Sequence, residues 1–332
     1  RVRRVMEEKQ KIGNKMATGK ATMTPKAALR VIETDNGSTS NPTRIMQIIE
    51  QYYSEKLHAP GDGVKSGLYM PADVPRDYPW KVDSAYKKHS NLLDEAAPSS
   101  REWLHDAIDD EVAFDTCLKS LARGKAAGPD NVPNEVIQAL PDTGKEALHN
   151  LIRIMWATGL TPSGWKESST ILLFKHKGSA WQLPYYRRIG LENTVYKIWT
   201  RMVTYAMADR AERLNMISSS QAGFRNKRTC AHQIEMMLMA LEDAHLTKQD
   251  IYLLQADMTE AFDTIDHDKL LMILYDLGFP TDAIEVVKDL YSGASTKIQT
   301  PYGPTSSIPF ERGTIQGDSL SPFLFVIYLE PL

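Results

Sequence analysis

Three aspartates follow an apolar run in the segment YLLQADMTEAFDTIDH, residues 252–267. Asp257 ends the run, and Asp263 and Asp266 come close behind. A carboxylate at the end of a buried strand is costly to desolvate. It needs a cation, an arginine or several hydrogen-bond donors. Mg²⁺ is one suitable partner, because it is held by one or two carboxylates together with substrate phosphates. The competing use of Asp257 is local, as a cap on the turn where the strand ends. Asp263 fits the ordering of a loop, and Asp266 is placed to N-cap a helix that begins at His267. No Cys or His lies near enough in sequence to make His267 part of a zinc site.

Other residues could complete such a site. Phe262 is an aromatic that could lie against a sugar, or could simply sit in the core under the next helix. In ERGTIQGDSLSPFLF, Gly313 and Gly317 flank Gln316 and permit a tight turn with close backbone approach to a ligand. Gln316 then offers an amide donor and acceptor at the mouth of a helix. Asp318 and Ser319 read as capping residues. In FKHKGSAWQLPYYRRIGL, Lys175 and Lys177 occupy a turn after a strand, and Arg187 and Arg188 follow. Two such cations can clamp a triphosphate, or merely solvate a surface.

These residues need elements to hold them. The periodicity predicts helices in TRIMQIIEQYYSEKLHA (with Thr43 as N-cap), DEVAFDTCLKSLARGK, GKEALHNLIRIMWATG and ENTVYKIWTRMVTYAMADRAERL. It predicts more in HQIEMMLMALEDAHL, HDKLLMILYDLGF, DAIEVVKDLYSGA and SPFLFVIYLEPL. The Met/Leu stripe of HQIEMMLMALEDAHL reads as core. Strands are expected in SSTILLFKHKGS and IYLLQAD, and a hairpin around Tyr302-Gly303-Pro304. Helices alternate irregularly with few strands, so the fold class is α+β. Residues 1–30 read as a basic helix running into a linker, and residues 59–92 as a long loop.

The composition limits the possibilities. An apolar content of 42% and a charged content of 24% suit an ordinary globular chain. Two cysteines, Cys117 and Cys230, argue against a disulfide framework and for a reducing, intracellular setting. The apolar run FLFVIYL is too short to cross a bilayer, so no membrane association is expected. Net charge is −3, yet residues 165–228 hold twelve Lys/Arg against four acids. Local basic blocks of this kind can bind phosphate, although evened-out surface charge is the commoner explanation. With no initiator Met and an abrupt end in an apolar helical pattern, the chain reads as a fragment of a longer product.

The order of the segments carries more than any one of them. GKAAGPDNVPNEVI, STILLFKHKGS, YYRRIGLENTVYKIWTRMV, SSSQAGFRNKRTCAHQI, LLQADMTEAFDTIDHDKLL and RGTIQGDSLSPFLFVIYLEPL follow one another over residues 120–332. In this order they resemble the reverse transcriptase domain of LINE-type non-LTR retrotransposons. The resemblance implies a right-hand polymerase. Its mostly helical N-terminal extension would span residues 1–112, its fingers 113–228 and a partial palm 229–332.

The resemblance also implies residue roles. Asp257 would hold two Mg²⁺ ions, with the backbone carbonyl of Met258 on the nucleotide-bound metal. Phe262 would be the gate that excludes a ribose 2′-OH. Lys175 (or Lys177) and Arg187 would bind the triphosphate, and Gln316 and Gly317 would line the nucleotide pocket. The implied partners are an RNA template, a DNA primer and dNTP. An upstream endonuclease domain and nuclear action are family features with no signal of their own in the sequence.

The chain departs from the family pattern at three places. Arg188 stands where Arg-Pro-Ile is usual, and Ile315 and Asp318 flank Gln316-Gly317 where Arg-Gln-Gly-Cys is usual. The aromatic-x-Asp-Asp hairpin is absent, since the one adjacent aspartate pair is Asp109-Asp110, upstream of the fingers. The chain by itself is therefore expected to be inactive, and its truncated palm to expose an unpaired sheet edge. The alternatives are another right-hand polymerase, such as a group II intron maturase or an RNA-dependent RNA polymerase, and a non-catalytic RNA-binding module.

Overall fold

The structure is a computed structural model that describes residues 29–35, 37–59, 106–258 and 260–331. The expected basic N-terminal helix and the long loop lie largely outside these residues. The described chain mixes helices with one five-stranded sheet, the α+β class read from the sequence.

β1 (Ile32–Thr34) and β2 (Gly37–Thr39) form a short antiparallel hairpin. α1 (Pro42–Leu57) follows, capped by Asn41, whose side chain accepts from the Arg44 amide at 3.0 Å. The cap lies two residues before the expected Thr43. Pro42 lacks an N–H and has its φ already fixed for a first helical turn, so the helix starts there. One face of α1 buries Ile45, Ile49, Tyr53 and Leu57.

α2 (Glu111–Lys119) is capped by Asp110, and α3 (Asn134–Gln138) begins just after Pro133. α4 (Asp142–Thr158) stops at Gly159, whose φ of 66° is the left-handed turn that glycine adopts without penalty. β3 (Glu167–Phe174) and β4 (Tyr186–Leu191) pair antiparallel, with Leu172 opposite Arg188 and Leu173 opposite Arg187. The buried face of β3 includes Ser168 and Thr170. Burial of these hydroxyls is tolerable because each is hydrogen-bonded: Ser168 Oγ donates to the Ser295 carbonyl, and Thr170 Oγ1 lies 2.8 Å from Thr296 Oγ1.

α5 (Thr194–Arg213) is the central helix. Ile198, Trp199, Met202, Val203, Ala206 and Met207 are all wholly enclosed. α6 (Cys230–Thr247), α7 (His267–Asp276) and α8 (Thr281–Tyr291) follow. β5 (Ser295–Thr300) pairs parallel with β3 and antiparallel with β6 (Gly303–Pro304) and β7 (Ile308–Pro309). This gives the sheet order β4-β3-β5-β6, with β7 also on β5, and α9 (Leu320–Leu329) ends the described chain.

Two expectations are corrected. Residues 251–258 form no strand, and Leu254 is 93% exposed. A strand needs a neighbour for its N–H and C=O groups, and none of the described strands runs beside this segment. Asp257 therefore ends an exposed run rather than a buried strand. α6 is a helix as expected, but its Met/Leu stripe is not core: Met239 is 65% exposed and the helix has no buried residue. Periodicity reports an apolar face but not whether another element covers it.

Candidate active site

The residues that could do chemistry meet where three segments cross. The first is β4, which directs Arg188 and Gly190 inward. The second is a single turn of 3-10 helix, Ala261–Asp263, which leads into α7. Asp266 caps α7 by accepting from the Lys269 amide at 3.0 Å, as its sequence position predicts. The third is the turn at 313–318 before α9.

Backbone bonds fix the crossing. The Gly313 amide donates to the Ile265 carbonyl at 2.7 Å, and the Thr314 amide to the Phe262 carbonyl at 2.8 Å. The Gly190 amide donates to the Gln316 carbonyl at 2.7 Å. The glycines are needed for this closeness. A Cβ on Gly313 (φ 82°) would stand 2.9 Å from the Asp263 Cα, and one on Gly317 (φ 129°) would stand 2.8 Å from the Gly190 carbonyl oxygen.

Asp263 is the hub of the side-chain chemistry. Its Oδ1 accepts from the Arg188 guanidinium at 2.6 Å and from Gln316 Nε2 at 2.8 Å. Its Oδ2 lies 3.6 Å from Lys56 Nζ, which also reaches Glu260 at 2.5 Å. The Arg188 and Asp263 side chains are only 5% and 7% exposed. Two carboxylates and two cations leave the group formally neutral, which is what makes such burial bearable. The rings of Tyr53 and Phe310 flank the guanidinium at 5.9 and 5.7 Å, a favourable placement for a delocalised cation.

A second polar group is buried next to this turn. Glu192, just past β4, is fully enclosed, and neither carboxylate oxygen has a hydrogen-bond partner among the described residues. Burial, and then the charge of Asp318, push its carboxyl well above the usual range. Burial likewise lifts Asp318 to about 6, against the hydrogen bonds it accepts from Thr200, Leu320 and Ser319. His267 is held below its ordinary value by burial, although its ring nitrogen sits 2.7 Å from the Gly313 carbonyl.

The family described as reverse transcriptase (RNA-dependent DNA polymerase) matches residues 175–332, a span that includes β4, the 3-10 turn and the 313–318 turn. The chain carries a reverse transcriptase domain. The proteins it resembles come from transposable elements. It is 24% identical over 215 residues to the probable RNA-directed DNA polymerase from transposon BS of Drosophila melanogaster, covering 65% of this chain and 24% of that protein. It is 26% identical over 211 residues to the RNA-directed DNA polymerase from mobile element jockey of the same fly, covering 64% of this chain and 23% of that protein. The Pol polyprotein of the type-1 retrotransposable element R2 of Nasonia vitripennis is 22% identical over 223 residues, which are 67% of this chain and 20% of the polyprotein. The chain thus spans about a quarter or less of these relatives. The domain is homologous to the RNA-directed DNA polymerases of non-LTR retrotransposons, as the ordered segments suggested.

Within the reverse transcriptase domain the singled-out residues fall into three groups. Gln316 and Gly317 sit in the crossing itself. Phe262 is half-buried in the turn, its ring 4.8 Å from Phe325 and 6.0 Å from Phe224. Arg187, Lys175 and Lys177 lie on or beside the β3–β4 pair. Arg187 is exposed and has no ion pair among the described residues, whereas Lys175 Nζ donates to the Pro184 carbonyl at 2.8 Å. Asp257 and Met258 lie on the exposed segment before the turn.

The side chains present do not make up a two-magnesium centre. No three His, Cys, Asp or Glu side chains come together to hold a metal among the described residues. Asp263 is committed to Arg188 and Asp266 to its helix cap, so Asp257 offers a single carboxylate. Sequence reasoning named Arg188 as a surface or triphosphate cation and missed its pairing with Asp263, and it missed Lys56 altogether. Arg188 reads as the lesser of two adjacent arginines, and Lys56 lies far upstream of the motifs. The available signal for Arg188 was its position where the family usually has proline. An arginine on the inward face of a strand demands a buried anion.

Proposed function

We propose that this chain is the nucleotide-handling part, fingers and first part of the palm, of an RNA-directed DNA polymerase of a non-LTR retroelement. It would act on an RNA template and a DNA primer with dNTP. One observation carries the reading: two of the segments that cross at Asp263 bring nucleotide-pocket candidates to one place. The 3-10 turn brings Phe262, and the 313–318 turn brings Gln316 and Gly317, while Arg187 lies on the outward face of β4.

Several features support the assigned roles. Arg187, exposed and unpaired among the described residues, is available to a triphosphate, while its neighbour Arg188 is spent on Asp263. Phe262 is held by two aromatic neighbours, so its ring can present a fixed edge to a sugar. Gln316 has its amide nitrogen committed to Asp263, which leaves its carbonyl oxygen and the Gly317 backbone for a base or sugar. In the reading that remains for the metal, Asp257 and the Met258 carbonyl supply part of the coordination, and the other carboxylates come from elsewhere in a longer protein. The boundaries at 112 and 228, and action in the nucleus, belong to the same proposal.

Primer extension by the full-length gene product tests it. Incorporation of dNTP on an RNA template, lost in Asp257→Ala, is the expected result. Binding of RNA with no incorporation by the unaltered protein would favour the non-catalytic module instead.

A further inference from the structure

The charged group at the crossing contains one residue from outside the matched span. Lys56 lies in the last turn of α1, more than a hundred residues before Lys175. Its side chain is 16% exposed and bridges Glu260 and Asp263. α1 also meets the crossing through its C-terminal end, where the Glu311 amide donates to the Leu57 carbonyl at 3.1 Å. Tyr53, one turn earlier, covers the Arg188 guanidinium.

We propose that Asp263 is a positioning residue for Gln316 in the nucleotide pocket, and that Lys56 of α1 holds Asp263 in place. The inference rests on the polymerase reading for the word pocket, and on geometry alone for the coupling. Asp263 Oδ1 is already shared by two donors, Arg188 and Gln316. A carboxylate pulled toward one buried guanidinium would rotate away from the weaker, neutral amide donor. Lys56, on Oδ2, balances that pull from the other side, and it neutralises Glu260, which opens the same turn. Arg188 is the feature that makes the balance necessary. A proline at that position would carry no charge, and Asp263 would have no guanidinium to satisfy. Helix α1 is on this account part of the polymerase unit rather than a leader to it.

The test uses Lys56→Met, which keeps the apolar stem of the side chain and leaves the Arg188–Asp263 pair intact, so that folding is preserved. Two readouts separate the inference from the reading beneath it. In hydrogen exchange on the 332-residue chain, amides of 260–266 and 313–318 should exchange roughly three- to tenfold faster than in the unaltered protein, the effect of one partly buried ion pair. Those of α4 should not change. In primer extension by the full-length product, the KM for dNTP should rise by a similar factor with kcat held within about twofold, the mark of lost ground-state binding. Asp263→Asn, which keeps an oxygen for both donors, should restore more of the 313–318 protection than Asp263→Ala. Unchanged exchange at 313–318 in Lys56→Met would overturn the coupling. Faster exchange with an unchanged KM would overturn the positioning role. A full-length product that incorporates no dNTP even when unaltered would sink the polymerase reading, while exchange would still decide the coupling.

Discussion

Replacing Asp318 by Asn should stabilise the protein at neutral pH. Asp318 is fully buried, one residue past Gly317, and one of its oxygens has no hydrogen-bond partner among the described residues. Burial raises its carboxyl from an ordinary 3.8 to about 6. At 1.36 kcal/mol for each pH unit, this corresponds to about 3 kcal/mol. The sign follows from which state binds the proton more tightly. The folded state does, so stability is greatest while Asp318 is protonated and falls as pH rises from about 4 to about 6. Above that pH the full cost is present. Asn carries no charge and keeps one oxygen for the donors of Thr200, Ser319 and Leu320. The variant should therefore gain up to about 3 kcal/mol at pH 7.5 and almost nothing at pH 4. Urea unfolding followed by circular dichroism at the two pH values measures it. A variant no more stable than the parent at pH 7.5, or a gain of the same size at both, would refute the reasoning.

Other substitutions probe the crossing and the exposed segment. Asp263→Ala leaves the Arg188 guanidinium buried without an anion and should cost about 3–5 kcal/mol in urea unfolding. The double variant Arg188→Met/Asp263→Leu should recover most of it. Gly313→Ala places a methyl group against the Asp263 backbone at a φ that L residues rarely adopt. It should cost roughly 1–3 kcal/mol and lower Tm accordingly. Leu254→Ser, at a side chain 93% exposed, should change stability by no more than about 0.5 kcal/mol. A loss of 2 kcal/mol or more would mean that residue 254 is packed as a core leucine.

Much of the local structure could be read from the residues because the signals were local. Asp266 as the cap of α7, Gly159 as the stop of α4 and the hairpin near Gly303 all depend on groups within a few residues of each other. Phe262 and Gln316 could be singled out for the same reason, from an ordered set of short segments. What was not legible depends on distant partners. IYLLQAD has the composition of a buried strand, but a strand exists only where another lies beside it. The stripe of α6 is apolar, but a stripe becomes core only when covered. Asp263 looked like a loop aspartate because its partners, Arg188, Gln316 and Lys56, are 75, 53 and about 200 residues away in the chain.

The central claim is that residues of this chain serve templated DNA synthesis with Asp257 at its chemical centre. The most direct measurement is primer extension by the full-length gene product on an RNA template with dNTP, the parent beside Asp257→Ala. The account predicts incorporation by the parent and a loss of at least about a thousandfold in the variant, the scale expected when an essential catalytic group is removed. Incorporation that survives Asp257→Ala within tenfold would contradict it.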